Sequence, residues 1–200
     1  MRLVTFCGSA GARSSNQALL DVVGDALVGR GWEVIPALGL PDIPMLDPAI
    51  ADDTTPPAVA SLRTQFESAD AVAVAIPEYG GGAAGWAKNA LDWMVGSGSL
   101  YGRTVAVLSA GTTGGPNALP QIARTLTWQG ANVVATCGVA APATKRTSHG
   151  AIDDPTTLTA LSTVADRLAT AATDPEHIDR LVTETLDPLD IPRDDRTGRG

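Results

Sequence analysis

The chain is poor in the residues that build metal centres and covalent catalysts. Two cysteines, Cys7 and Cys137, are too few for a disulfide framework or a four-cysteine zinc site. Each sits in or beside an apolar run, where a core thiol is expected. The two histidines, His149 and His177, lie far apart among polar neighbours, and surface positions are expected for both. No serine–histidine–acid set, metal cluster or pair of catalytic carboxylates stands out, so no residue is assigned a catalytic role. Long apolar runs are absent too: none approaches the roughly 18–20 residues of a membrane span. The opening MRLVTFCGSA is too briefly apolar for a secretory signal, which makes a cytoplasmic location the expectation. Positive charge is scarce, with 14 Lys and Arg against 22 Asp and Glu, a net charge of −8. A chain this acidic offers no electrostatic footprint for nucleic acid or for an anionic membrane.

What is present is a regular alternation. With 200 residues, 44% of them hydrophobic and 18% charged, the chain is long enough for one domain with a substantial core. Strand-like runs occupy residues 3–6, 33–36, 71–76, 104–108 and 131–135. Between them, Ala18, Leu19, Val22, Val23, Ala26 and Leu27 repeat at helical spacing, and Gly29 and Gly31 stop that helix. Thr55 reads as an N-cap before Pro56, with Val59, Leu62 and Phe66 on the buried face that follows. Ala87, Ala90, Leu91 and Met94 mark a third helix. Ala118, Leu119, Ile122, Ala123 and Leu126 mark a fourth. Asp154 and Pro155 cap a long fifth helix carrying Leu158, Leu161, Val164 and Leu168. The run at 71–76 is continuously apolar, as in a strand covered on both faces. This order predicts an α/β protein with a doubly wound, five-stranded parallel sheet in three layers. Residues 1–173 form the predicted domain. Residues 174–200 form a C-terminal extension, a short helix with Ile178, Leu181 and Leu186 and then a polar tail expected to be mobile.

Ligands of open parallel sheets bind beyond the carboxyl ends of the strands. Three such ends here run into unusual loops: GSAGARSSN (8–16), PEYGGG (77–82) and SAGTTGG (109–115). The first combines glycines, hydroxyls and a guanidinium at a helix start, which suits a phosphate group. It lacks both the Walker ending and the dinucleotide fingerprint, so a monophosphate is the better fit. The second exposes backbone against which a flat ring can lie, with Tyr79 beside it. Lys88 and Asp92, at i and i+4, read as a helix-surface ion pair. Trp86 and Trp93 are either core or subunit contact. A phosphate pocket and two ring-accommodating loops without catalytic side chains fit a protein whose cofactor performs the chemistry.

These three loops resemble those of the NAD(P)H-dependent FMN reductases of the flavodoxin-like fold, relatives of chromate, quinone and azo-dye reductases. The resemblance covers about residues 2–140 and implies FMN, with NADPH or NADH as electron donor. It implies FMN contacts at Ser9, Arg13, Ser14, Ser15 and Asn16 for the phosphate. It implies Pro77, Glu78, Tyr79, Gly80 and Gly81, with Ser109, Gly111, Thr112, Gly114 and Gly115, around the ring and ribityl chain. Hydride would pass from the nicotinamide to flavin N5, and a quinone, flavin or similar small-molecule acceptor would be reduced next. The helix with KNALDW resembles one used for subunit contacts, which implies a homodimer or homotetramer. This chain departs from the family at Gly11, usually arginine, at Gly80, usually asparagine, and at Ala84, usually proline. A flavodoxin-like electron carrier and a binding or regulatory protein that has lost FMN are the alternative readings.

Overall fold

The computed structural model describes residues 1–9, 11, 14–37, 40–50 and 54–192. Five parallel strands make the sheet: β1 (Arg2–Cys7), β2 (Glu33–Pro36), β3 (Ala71–Ala75), β6 (Thr104–Gly111) and β7 (Asn132–Ala140). Their spatial order is β2-β1-β3-β6-β7, so the chain reverses direction across the sheet between β1 and β3. This is the doubly wound, flavodoxin-like order, with a crevice beyond the strand ends at the reversal.

The interior follows from the apolar runs. All five residues of β3 are fully buried, as a central strand flanked on both faces requires. Helices α1 (Ser15–Val28) and α5 (Pro155–Thr173) pack together on one face. On the other lie α3 (Gly85–Asp92) and α4 (Ala118–Trp128), with α2 (Pro57–Glu67) tied to α3 where Arg63 donates to the Trp93 carbonyl at 2.9 Å. Phe6 from β1 and Phe66 from α2 meet edge to face, centroids 6.1 Å apart.

Several local expectations are corrected. Pro56, not Thr55, sits at the start of α2, and no side chain caps that helix. The fixed φ of Pro56 and Pro57 preorganises the first turn instead. β7 runs five residues beyond the predicted end at 135, to Ala140. A bulge in β7, opposite Val105 and Ala106 of β6, leaves Val134 unpaired in the ladder. The glycine triplet contains an unpredicted hairpin, β4 (Glu78–Tyr79) against β5 (Gly82–Ala83). Gly80 and Gly81 are its turn, with φ +60 and +78, the pair of positive values that a type I′ turn needs. The Asp154 cap is as expected, its carboxylate accepting from the Thr157 N–H at 2.8 Å.

The C-terminal stretch is part of the packed structure as far as it is described. Helix α6 (Ile178–Leu186) lies along β7, the edge strand, with Leu181 and Leu186 buried. It covers an edge that would otherwise be open to pairing. The last part of the predicted tail, residues 193–200, lies outside the described residues. No helix among the described residues is long and apolar enough to cross a membrane.

Candidate functional site

The ends of β1, β3 and β6 do converge. Between them lies a cleft of about 550 Å³, lined by Ser9, Ser14, Ser15 and Asn16, by Pro77, Glu78 and Tyr79, and by 110–112 and 141–143. That volume falls in the range of roughly 300–1,000 Å³ usual for small-molecule sites.

At one end stands the start of α1. Ser14 is its N-cap, its Oγ accepting from the N–H groups of Asn16 at 3.1 Å and Gln17 at 3.4 Å. The loop is held down behind: the Gly8 N–H donates to the Ala75 carbonyl at 2.8 Å. A Cβ at Gly8 would sit 2.6 Å from that of Ala87, so only glycine lets α3 pack this close. Asn16 is 3% exposed and its amide is spent on β6: Oδ1 accepts from the Ala110 N–H at 2.9 Å, and Nδ2 donates to the Ala110 carbonyl at 3.2 Å. It braces the cleft wall with its oxygen and one of its two amide hydrogens. Arg13 lies outside the described residues.

The second loop is locked to the fourth helix. Glu78 accepts from the N–H groups of Asn117 at 2.7 Å and Ala118 at 2.8 Å, and from Asn117 Nδ2 at 3.1 Å. It is the N-terminal cap that α4 lacks in its own sequence. In return, Gln121 Oε1 accepts from the Ala83 N–H at 2.7 Å. The Ala118 N–H first, and the Asn117 amide after it, hold the Glu78 carboxyl below its ordinary value. A lowered folded-state pKa means stability that is present above the ordinary carboxylate value and lost as pH falls through the folded one. Acidification through that range is therefore expected to loosen the hairpin from α4. Glu78→Gln should flatten this pH dependence, as read by melting temperature against pH; parallel curves for the two proteins would contradict it.

The third loop divides. Gly111 and Thr112 line the cleft, and both their carbonyls accept from the Ala141 N–H, at 3.0 and 3.4 Å. Ser109, Gly114 and Gly115 do not line it. Ser109 is 1% exposed and abuts Gly115, where a Cβ would sit 2.2 Å from its Oγ. Gly114 and Gly115, with φ +82 and +77, turn the loop onto β7. Gly80 and Gly81 are likewise hairpin turn, not lining. Their glycine requirement comes from backbone angle and chain contact.

Four lining residues were missed, the first of them Ala110 within the third loop. Ala141, Pro142 and Ala143 follow the unpredicted extension of β7 and close the cleft from the far side. Beyond Tyr79 and Ser9, a neighbouring hollow of about 460 Å³ is lined by Gly8, Gly11, Ala84, Gly85 and Trp86. Trp86 is 56% exposed whereas Trp93 is buried, its Nε1 donating to the Pro44 carbonyl at 2.8 Å. Lys88 and Asp92 form the expected ion pair.

Burial pushes both thiols, Cys7 and Cys137, up from their ordinary value. No metal-holding group of three or more ligands exists among the described residues. The donors fit a phosphorylated ring compound: serine hydroxyls and a helix start at one end, a backbone-lined slot at the other.

The family described as NADPH-dependent FMN reductase matches residues 1–145. The chain is 29% identical over 117 residues to an NAD(P)H:quinone oxidoreductase of Solanum tuberosum, covering 56% of this chain and 59% of the other. It is 34% identical over 94 residues to an NAD(P)H-dependent FMN reductase of Pseudomonas aeruginosa, covering 46% and 49%. The chain thus spans about half the length of these curated relatives. Among solved structures it is similar to FerB, a flavoenzyme NAD(P)H:(acceptor) oxidoreductase from Paracoccus denitrificans. That match has a TM-score of 0.70 and 26% identity, over 86% of this chain and 97% of the other. A flavodoxin from the domain Archaea matches with a TM-score of 0.58 and 14% identity, over 86% and 99%, a likeness of fold alone.

Proposed function

The chain belongs to the NADPH-dependent FMN reductase family, and on that premise we propose that it binds FMN in the cleft and uses NADPH or NADH to reduce a quinone, a flavin or a similar small-molecule acceptor. The observation that carries this reading is the union of three strand-end loops in one cleft, with serine hydroxyls and a helix start at one end of it. FMN when bound supplies the chemistry, accepting hydride from the nicotinamide and passing the electrons on.

The protein's part is to hold and orient. Ser9 and Ser15 would take the phosphate beside the start of α1, with Arg13 joining them by its place in the motif. Ser14, whose Oγ is engaged as N-cap, and Asn16 would fix the helix start rather than bind directly. Pro77 to Tyr79 and 110–112 would bound the ring, with Glu78 keeping the hairpin against α4. The exposed rings of Tyr79 and Trp86 beside the opening suit a flat acceptor. Titrating the purified chain with FMN and following fluorescence quenching tests the binding; saturation near one FMN per chain is expected, and no quenching would end this reading.

The same proposal includes a homodimer or homotetramer. Its support is the exposure of Val95, Tyr101 and Trp128 beside α3 and α4. Sedimentation of the purified chain at twice or four times the monomer mass is expected, and a monomer at micromolar concentration would contradict it. A cytoplasmic location is supported by the two free cysteines, which suit a reducing compartment.

A further inference from the structure

Arg146 is not part of the predicted motifs and lies just past the matched residues 1–145; it lines a hollow beside the cleft, shared with Asp21 and Asp25, and from there it bonds to Ser15 at the start of α1. Its Nη1 donates to the Ser15 hydroxyl at 2.8 Å, across 131 residues of sequence. Its Nε donates to the Gly150 carbonyl at 2.7 Å. Gly150, with φ +92, closes a short turn against the guanidinium, where a Cβ would stand 2.7 Å from Nη2. The turn is pinned by the Arg146–Ile152 bridge and by the Thr147 N–H donating to the Ala151 carbonyl at 2.8 Å. The guanidinium is half-buried, and no carboxylate among the described residues pairs with it. Asp21 and Asp25 line the same hollow without forming an ion pair with it, so an arginine held at two points keeps a charged donor beside a hydroxyl that lines the cleft.

The bond to Ser15 has a second consequence. A hydroxyl has one hydrogen to give. With its oxygen accepting from Arg146, Ser15 has its own O–H left to donate, and Ser15 lines the cleft. Cation and hydroxyl thus act as one unit beside the start of α1. Position 11 is glycine, so that position of the first loop supplies no guanidinium.

We propose that Arg146, acting with Ser15, is a further residue that selects the phosphorylated flavin: it contacts the FMN phosphate from outside the first loop and adds to the cleft's discrimination of FMN from riboflavin. This inference rests on the FMN reading above. The test is titration of the wild type, Arg146→Ala and Arg146→Lys with FMN and, separately, riboflavin. Arg146→Ala is expected to weaken FMN by about 10- to 100-fold, the scale of lost charge-assisted hydrogen bonds, and to leave riboflavin unchanged. Arg146→Lys should keep part of the preference as a single point charge. Unchanged FMN affinity in Arg146→Ala would overturn the inference. So would equal losses for both flavins, which mark a distorted turn rather than a lost phosphate contact. Melting curves of the ligand-free proteins, with and without inorganic phosphate, separate the two levels. A phosphate-induced stabilisation is expected in the wild type and not in Arg146→Ala. If the wild type shows it but binds neither flavin, the anion contact stands and the FMN reading falls; if the wild type shows neither, both fall.

Discussion

Gly138→Ala is expected to cripple the cleft from a position that does not touch it. Gly138 lies in β7, and a Cβ there would stand 2.2 Å from the Gly114 carbonyl oxygen and 3.1 Å from the Leu119 side chain. The close neighbour is backbone, so no rotamer change relieves it. The loop from Gly111 to Gly115 has to move, and with it the Gly111 and Thr112 part of the cleft wall. Overpacking of this kind costs about 1–3 kcal/mol. FMN affinity should fall by at least 10-fold, because a ring slot displaced by a fraction of an ångström loses many contacts together. Gly96→Ala is the control, having open space around its Cβ position and no positive φ. Equal FMN affinity and melting temperature for the two variants would refute the close backbone contact.

Arg167→Leu is expected to be the most destabilising single change outside the buried apolar core. Val134 is left over by the bulge in β7, and its carbonyl accepts from Arg167 Nε at 2.6 Å. The same guanidinium donates through Nη2 to the Leu181 carbonyl at 2.8 Å and Thr185 Oγ1 at 3.0 Å, and through Nη1 to Glu184 at 3.0 Å. One side chain of α5 therefore joins the sheet edge to α6. Leucine leaves the carbonyl of a buried residue without its donor and removes the tie to α6. A cost of about 2–4 kcal/mol follows from lost hydrogen bonds to a charged group and an unmet acceptor. For a chain of this size that lowers the melting temperature by roughly 5–15 °C. FMN binding should survive at low temperature, because Arg167 does not line the cleft. A drop below about 2 °C would show that α6 holds to β7 by its apolar face alone.

The sheet was readable because its inner strands are continuous apolar runs, and burial on two faces demands that pattern. Ala71 to Ala75 is the clearest example. The convergence of loops 8–16, 77–82 and 109–115 followed from parallel topology, which puts all strand ends on one side. What remained hidden lacked a local signal. Two-residue strands have no period to detect, so the hairpin was lost inside PEYGGG, although paired glycines between short flanks are a type I′ signature. Gly114 and Gly115 looked like ring-lining residues because glycine marks close approach without saying to what. The approach is to β7 and Ser109. Glu78 and Asn16 sit in the motif but spend their polar atoms on α4 and β6, a distinction that depends on residues 39 and 94 positions away. Arg146 meets Ser15 over a still longer span. Tertiary partners at such distances leave no trace in spacing.

The central claim is that this cleft holds FMN in reach of a nicotinamide. The most direct test is anaerobic mixing of the FMN-loaded chain with NADPH, and separately with NADH, while the visible flavin absorption is recorded. Bleaching by at least one of the two is expected, with recovery of the oxidised spectrum when a quinone is added. Bound FMN that stays oxidised with both nucleotides would contradict it and leave an electron carrier in its place.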